Sequence, residues 1–127
     1  MSKGKLIGFW IFTVLVGLSQ GASGVADLAG VEDLLLAMDA LGYPRYVLNI
    51  LGTFKILGAI CLLAPGLKRA KEWAYAGFAF DFIGAAASHA MNGDGVDLIM
   101  PPLVLLTFLS ISYVLRPDNR KLEGPAL

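Results

Sequence analysis

Four stretches of the chain are apolar over nearly twenty consecutive residues, and short polar segments separate them. A helix needs about 20 mostly apolar residues to cross the hydrocarbon core of a bilayer. The pattern therefore predicts an all-α protein, a four-helix transmembrane bundle formed by a single domain over residues 1–127. The predicted spans run from Leu6 to Val25, from Tyr46 to Ala64, from Trp73 to Met91 and from Asp97 to Leu115.

The segment between the first two spans has a different pattern. Its apolar residues recur every three or four positions, and its acidic residues fall on the opposite side, which is typical of an amphipathic helix. Gly42 favours a helix end, and Pro44 cannot continue the helix. We therefore expect a short amphipathic helix at the outer membrane interface. Its apolar positions are Val31, Leu34, Leu35, Met38 and Leu41.

The composition agrees with burial in lipid. Hydrophobic residues make up 57% and charged residues 16% of the 127 residues, against roughly 45–50% and about 25% in soluble domains. This composition excludes a disordered chain, and the ten basic residues balanced by ten acidic ones argue against a nucleic-acid partner. Cys61 is the single cysteine, so the chain can form neither an internal disulfide nor a CxxC redox pair. Any redox chemistry would need a borrowed cofactor.

The basic residues predict the orientation of the spans. Eight of the ten fall on one side of the predicted membrane, whereas Arg45 alone falls on the other and Lys55 lies within a span. Lys and Arg are enriched in cytoplasmic loops. We therefore expect both termini in the cytoplasm, and we expect the membrane to be a bacterial inner membrane. Pro117, Gly124 and Pro125 predict a loose tail after Arg116.

Lys55 and Asp81 each interrupt an apolar span near its middle. A charge at the bilayer centre is unfavourable by roughly 2.5–3.5 kcal/mol on the insertion scale, and such residues normally face the bundle interior and find partners. Lys55 lies ten residues before Pro65 and Asp81 ten residues after Lys71, so both should lie about 15 Å from the cytoplasmic end. The spacing predicts a buried Lys55–Asp81 ion pair across the hairpin of spans two and three. Its role is structural, or it forms a proton site or a site for an anionic headgroup.

Further polar residues are predicted nearer the outer side. We expect them to form a ligand pocket in which histidine binds a carbonyl group, moves a proton or serves structurally. A single histidine with carboxylates is weak support for a metal, and we predict none. The pocket residues are Gln20, Asp27, Asn49, Ser88, His89 and Asp97.

Four motifs resemble the DoxX-like family of small four-span membrane proteins. They are LGYP at Leu41–Pro44, GxxKxxGA at Gly52–Ala59, KEWAYAGFAFDFIGAAASHA at Lys71–Ala90, and Pro101-Pro102. The resemblance extends roughly from Leu6 to Pro117, and its matching positions are Lys55, Asp81, Ser88 and His89. It implies a fold more strongly than an activity, since the wider family includes subunits associated with quinol and thiosulfate:quinone oxidoreductases as well as receptor chaperones.

Three functional hypotheses follow. The leading one is a redox accessory that binds a quinone, or another lipid-soluble carbonyl ligand, and associates with a membrane redox complex. The second is a non-enzymatic membrane chaperone or assembly partner. The third is a small proton-coupled transporter, which with four spans would need to act as an oligomer such as a homodimer. The sequence leaves open whether the protein is an enzyme.

Overall fold

A computed structural model describes residues 2–122, and within them every regular element is helical. The all-α prediction is therefore confirmed, and the helix limits differ from the predicted spans by a few residues. The elements are α1 (Lys3–Ala29), α2 (Glu32–Leu41), α3 (Tyr46–Leu63), α4 (Lys68–Met91), α5 (Val96–Val114) and a 3₁₀ turn, η1 (Asp118–Arg120).

Four of the helices form a closed bundle. Helix α1 packs against α3 and α5, and α4 packs against the same two helices from the other side. The core lies between them and contains Val16, Leu62, Tyr75, Phe78, Phe82 and Leu109. The amphipathic α2 contributes no buried residue, and it ends as predicted at Gly42, which has a left-handed φ of 81°.

The bundle surface is apolar. Among residues 2–122, the helices α1, α3 and α5 are long and apolar enough to cross a membrane, judged by length and composition. Helix α4 has 24 residues but carries more charge and is not among them, so the count of four spans stays a prediction. Large side chains such as Leu18 and Phe54 point outward with 62% and 66% of their surface exposed, as expected for a surface that faces lipid.

Residues 115–122, which follow α5, pack against the bundle, contrary to the loose tail predicted after Arg116, and the rest of that predicted tail lies outside the described residues. Arg120 is 7% exposed, and its guanidinium donates to the carbonyl oxygens of Leu62 and, at 3.3 Å, Ala64. The Lys71 ammonium, from α4, donates to the carbonyl of Cys61 at 2.6 Å. Carbonyls at a helix C-terminus lack intrahelical donors and carry partial negative charge, which attracts cations. Two cations counted above as cytoplasmic surface charges therefore cap α3.

The first turns of α1 and the 3₁₀ turn that follows α5 meet at this end of the bundle. The Arg120 guanidinium lies 4.9 Å from the Trp10 ring centroid and 5.4 Å from that of Phe9, near the start of α1. An arrangement in which α1 begins where α5 ends agrees with an even number of membrane crossings.

Candidate functional site

Lys55 lies in the middle of α3, and its ammonium group contacts α1. Its Nζ is 2.9 Å from Oδ2 of Asp27 and donates to Oγ of Ser23 at 3.1 Å. Ser23 and Asp27 are four residues apart and therefore share one face of α1. Asp27 is 2% exposed, so this ion pair is buried inside the bundle.

The predicted ion pair between Lys55 and Asp81 is not the one that the structure forms. Within residues 2–122, the carboxylate within 4 Å of the Lys55 ammonium is that of Asp27. The reason is the close approach of α1 and α3, where a Cβ added to Gly24 would lie only 2.8 Å from the carbonyl oxygen of Gly52. Small residues let helix backbones approach in this way, and the approach brings Asp27 to Lys55.

A cavity of about 590 Å³ separates α3 from α4 and holds Lys55 and Asp81 on its wall. Its lining is otherwise almost entirely apolar, and its floor includes Phe78, which is buried. At the mouth, Trp73 and Phe80 are 78% and 74% exposed. The cavity therefore opens on the apolar surface of the bundle, where the acyl chains of a bilayer would lie.

His89 is engaged with the loop that follows α4. Its Nδ1 donates to Oδ2 of Asp94 at 2.7 Å, and Asn92 donates to the other carboxylate oxygen at 3.1 Å. The hydrogen bond from His89, followed by that from Asn92, holds the pKa of Asp94 below its ordinary value. Ser88 shares a hydrogen bond of 2.6 Å with the hydroxyl of Tyr43. These contacts fasten the C-terminal end of α4 to its neighbours.

The remaining residues of the predicted outer pocket do not converge on His89. Gln20 and Asp27 are buried on α1, and Asp27 belongs to the Lys55 ion pair. Asn49 and Asp97 are exposed at the starts of α3 and α5. The structure therefore divides these polar residues between a buried contact of α1 with α3 and a surface around the end of α4.

Sequence reasoning missed a buried hydroxyl network in the half of the bundle where α1 begins and α5 ends. Oγ of Ser112 lies 2.5 Å from Oγ1 of Thr13 and 2.7 Å from the hydroxyl of Tyr75, and all three residues are buried. The network joins α1, α4 and α5. A hydroxyl in an apolar span gives little signal on its own, because it can equally bond to its own helix.

The described residues offer no metal centre. In residues 2–122, no group of three or more His, Cys, Asp or Glu side chains is placed to hold a metal ion. Cys61 lines the α3–α4 cavity and is without a disulfide. The polar side-chain groups among its lining residues are those of Lys55, Asp81, Cys61 and the indole N–H of Trp73.

An apolar helical bundle with a buried ion pair defines a small membrane protein. The family comparison is more specific, since the DoxX-like family matches residues 11–112. The chain belongs to the DoxX-like family, as the sequence motifs indicated. No curated protein matches the chain, and no solved structure matches it either.

Proposed function

We propose that this protein is a four-span membrane accessory protein that binds a lipid-soluble carbonyl ligand, such as a quinone, in the α3–α4 cavity. The observation that carries the proposal is an apolar cavity that opens toward lipid and presents Lys55 and Asp81 on its wall. Ligand pockets typically have volumes of roughly 300–1,000 Å³ and combine apolar walls with a few polar groups. The pocket that the sequence predicted near His89 is a less suitable ligand site, because the imidazole is already hydrogen-bonded to Asp94.

The lining suits a molecule with a polar ring and an apolar tail. The ring would lie between α3 and α4 with a carbonyl oxygen toward Lys55 and Asp81, and the tail would leave past Trp73. An ammonium group has three N–H donors. One donates to Ser23 and the charge lies beside Asp27, so at least one N–H is left to donate to a carbonyl.

A redox role for the protein requires a partner. A bound quinone would supply electron and proton acceptance, whereas the chain's own residues bind it, orient its carbonyl and exclude water. Electrons would come from a centre in another protein, which is why we place the protein in a membrane redox complex. We further propose that both termini are cytoplasmic. The support is the concentration of basic residues at the end of the bundle where α1 begins and α5 ends.

Fluorescence of Trp73 tests ligand binding at the cavity mouth. The protein is reconstituted in lipid nanodiscs with Trp10→Phe, which leaves Trp73 as the sole tryptophan, and is titrated with decylubiquinone. Gly77→Leu fills the cavity, because Gly77 lines it and an added Cβ meets no atom within 4 Å. Gly84→Leu is the matched control, since Gly84 lies two turns further along α4, has equally open space and is outside the cavity.

We expect saturable quenching that Gly77→Leu weakens at least about tenfold, which corresponds to about 1.4 kcal/mol of binding free energy. Gly84→Leu should leave the quenching unchanged. Equal quenching in both variants would mean that the quinone merely dissolves in the lipid, and the proposal would fail. A stoichiometric protein client that co-purifies without a bound small molecule would favour the chaperone hypothesis instead.

A further inference from the structure

We propose that the group formed by Asp27, Lys55 and Asp81 holds one proton inside the bundle, and that Asp81 carries it at the cavity wall. The three side chains supply two carboxyl groups and one ammonium group. One carboxylate balances the ammonium, which leaves the second carboxyl group without a counter-charge. In an apolar surrounding, a carboxyl group without a counter-charge is neutralised by a proton rather than left ionised.

The contacts assign the ionised form to Asp27. Its carboxylate lies 2.9 Å from the Lys55 ammonium and is 2% exposed, so protonating it would leave a buried ammonium unbalanced. Asp81 makes no ion pair or side-chain hydrogen bond with any residue between 2 and 122. It faces a cavity whose lining is almost wholly apolar.

The neighbouring helices bring no other charge to this level of the bundle. From α1 the charged group is Asp27, and from α3 it is Lys55. Helix α5, which packs on the other side of α4, has Asp97 as its one charged residue, and this lies in its first turn at the outer end. The charge balance of the interior therefore depends on these three groups.

A neutral carboxylic acid has a chemical use that a carboxylate lacks, because it donates a hydrogen bond. If the cavity takes a carbonyl ligand, a step that rests on the proposed function, Asp81 donates to the carbonyl oxygen. It also holds a proton where bulk water is excluded. Asp81 would then be a binding residue for the ligand.

Infrared spectroscopy of the ligand-free protein in an ester-free detergent such as dodecyl maltoside tests the charge assignment separately from ligand binding. A protonated carboxyl group has a carbonyl stretching band that an ionised carboxylate lacks. We expect this band at neutral pH in the unaltered protein and expect Asp81→Asn to remove it. Asp97→Asn, which alters an exposed carboxylate, should leave it in place.

Two further variants test the charge count. Lys55→Met removes the ammonium, so both carboxyl groups should take protons and the band should grow about twofold. Asp27→Asn leaves Asp81 as the one available counter-ion for Lys55, so the band should disappear. The absence of the band in the unaltered protein, or its persistence in Asp81→Asn, would overturn the proposal. If the unaltered protein shows the infrared band but does not bind the quinone, the proposed function is refuted and the charge assignment stands.

Discussion

Replacing Asp27 with asparagine should destabilise the protein far more than the same change at Asp81. Asp27→Asn leaves the Lys55 ammonium without its charged contact, although Ser23 still accepts a hydrogen bond from it. Removing one member of a buried ion pair lowers stability by about 3–5 kcal/mol. We expect about 3 kcal/mol here, at the lower end, because the Lys55 side chain is 16% exposed, keeps its hydroxyl acceptor and can take Asp81 as a more distant counter-ion.

Asp81→Asn removes neither an ion pair nor a side-chain hydrogen bond within residues 2–122. Its effect should stay below about 1 kcal/mol, as for most substitutions that break no specific contact. The free energy of unfolding is measured in mixed micelles with increasing denaturing detergent. Each change is then repeated in a Lys55→Met background, where Asp27→Asn should lose most of its effect.

The double-mutant cycle decides whether Lys55 pairs with Asp27 or with Asp81. A large coupling energy of Lys55 with Asp27 and a small one with Asp81 is the expected result. Equal destabilisation by the two asparagine variants, together with a strong coupling of Lys55 to Asp81, would refute the assignment. In that case the ion pair across the α3–α4 hairpin would dominate in the membrane.

Three other predictions concern the ends of the bundle and the contact between α1 and α3. Arg120→Ala should lower the free energy of unfolding by about 2–3 kcal/mol, because it removes buried charge-assisted hydrogen bonds to carbonyls of α3. The control is Lys121→Ala, which removes an exposed ion pair of 3.7 Å and should change the free energy of unfolding by less than about 0.5 kcal/mol. His89→Ala should raise the pKa of Asp94 in a carbon NMR titration, since His89 is the main cause of its lowered value. In the unaltered protein, the Asp94 carboxylate then stabilises the fold above the unfolded-state pKa, and this contribution is lost as the pH falls through the lowered folded-state pKa. Gly24→Ala should destabilise by about 1–3 kcal/mol in the same detergent assay, because its Cβ would lie 2.8 Å from a carbonyl oxygen on α3.

The helices were predictable because their signals are local. Apolar length sets the spans, and the three- or four-residue period of α2 fixes both its type and its end at Gly42. The depth of Lys55 and Asp81 in the bundle was also predictable, because the constant rise per residue of a helix places both at the same level. Their joint presence on one cavity wall agrees with that estimate.

The choice of ion-pair partner was harder to predict because it depends on lateral packing between helices. Adjacency in the chain favoured the α3–α4 hairpin, yet α1 approaches α3 more closely. A usable signal existed, since Gly24 precedes Asp27 by three residues and Gly52 precedes Lys55 by three. A small residue one turn from a charge on each of two helices indicates a face where their backbones can meet.

The roles of Lys71 and Arg120 could not be read from charge alone. Both fit the excess of positive charge expected on a cytoplasmic side, but each is buried against carbonyls at the end of α3. Whether a basic residue faces water or caps a helix depends on where the chain turns. For Arg120 the turn comes after Pro117, in a segment whose composition suggested no fixed structure.

The ion pair and the cavity have one cause. Near Gly58, α3 and α4 are in close contact, because a Cβ there would lie 2.8 Å from the Phe78 ring. About one turn further toward the outer side, Lys55 is directed toward α1, and Asp81 is left on the wall of the gap. A direct Lys55–Asp81 contact would bring two polar groups across that gap and reduce its volume. The contact of Lys55 with Asp27 therefore leaves Asp81 on the wall of the open gap, where under the proposed function it would meet the ligand.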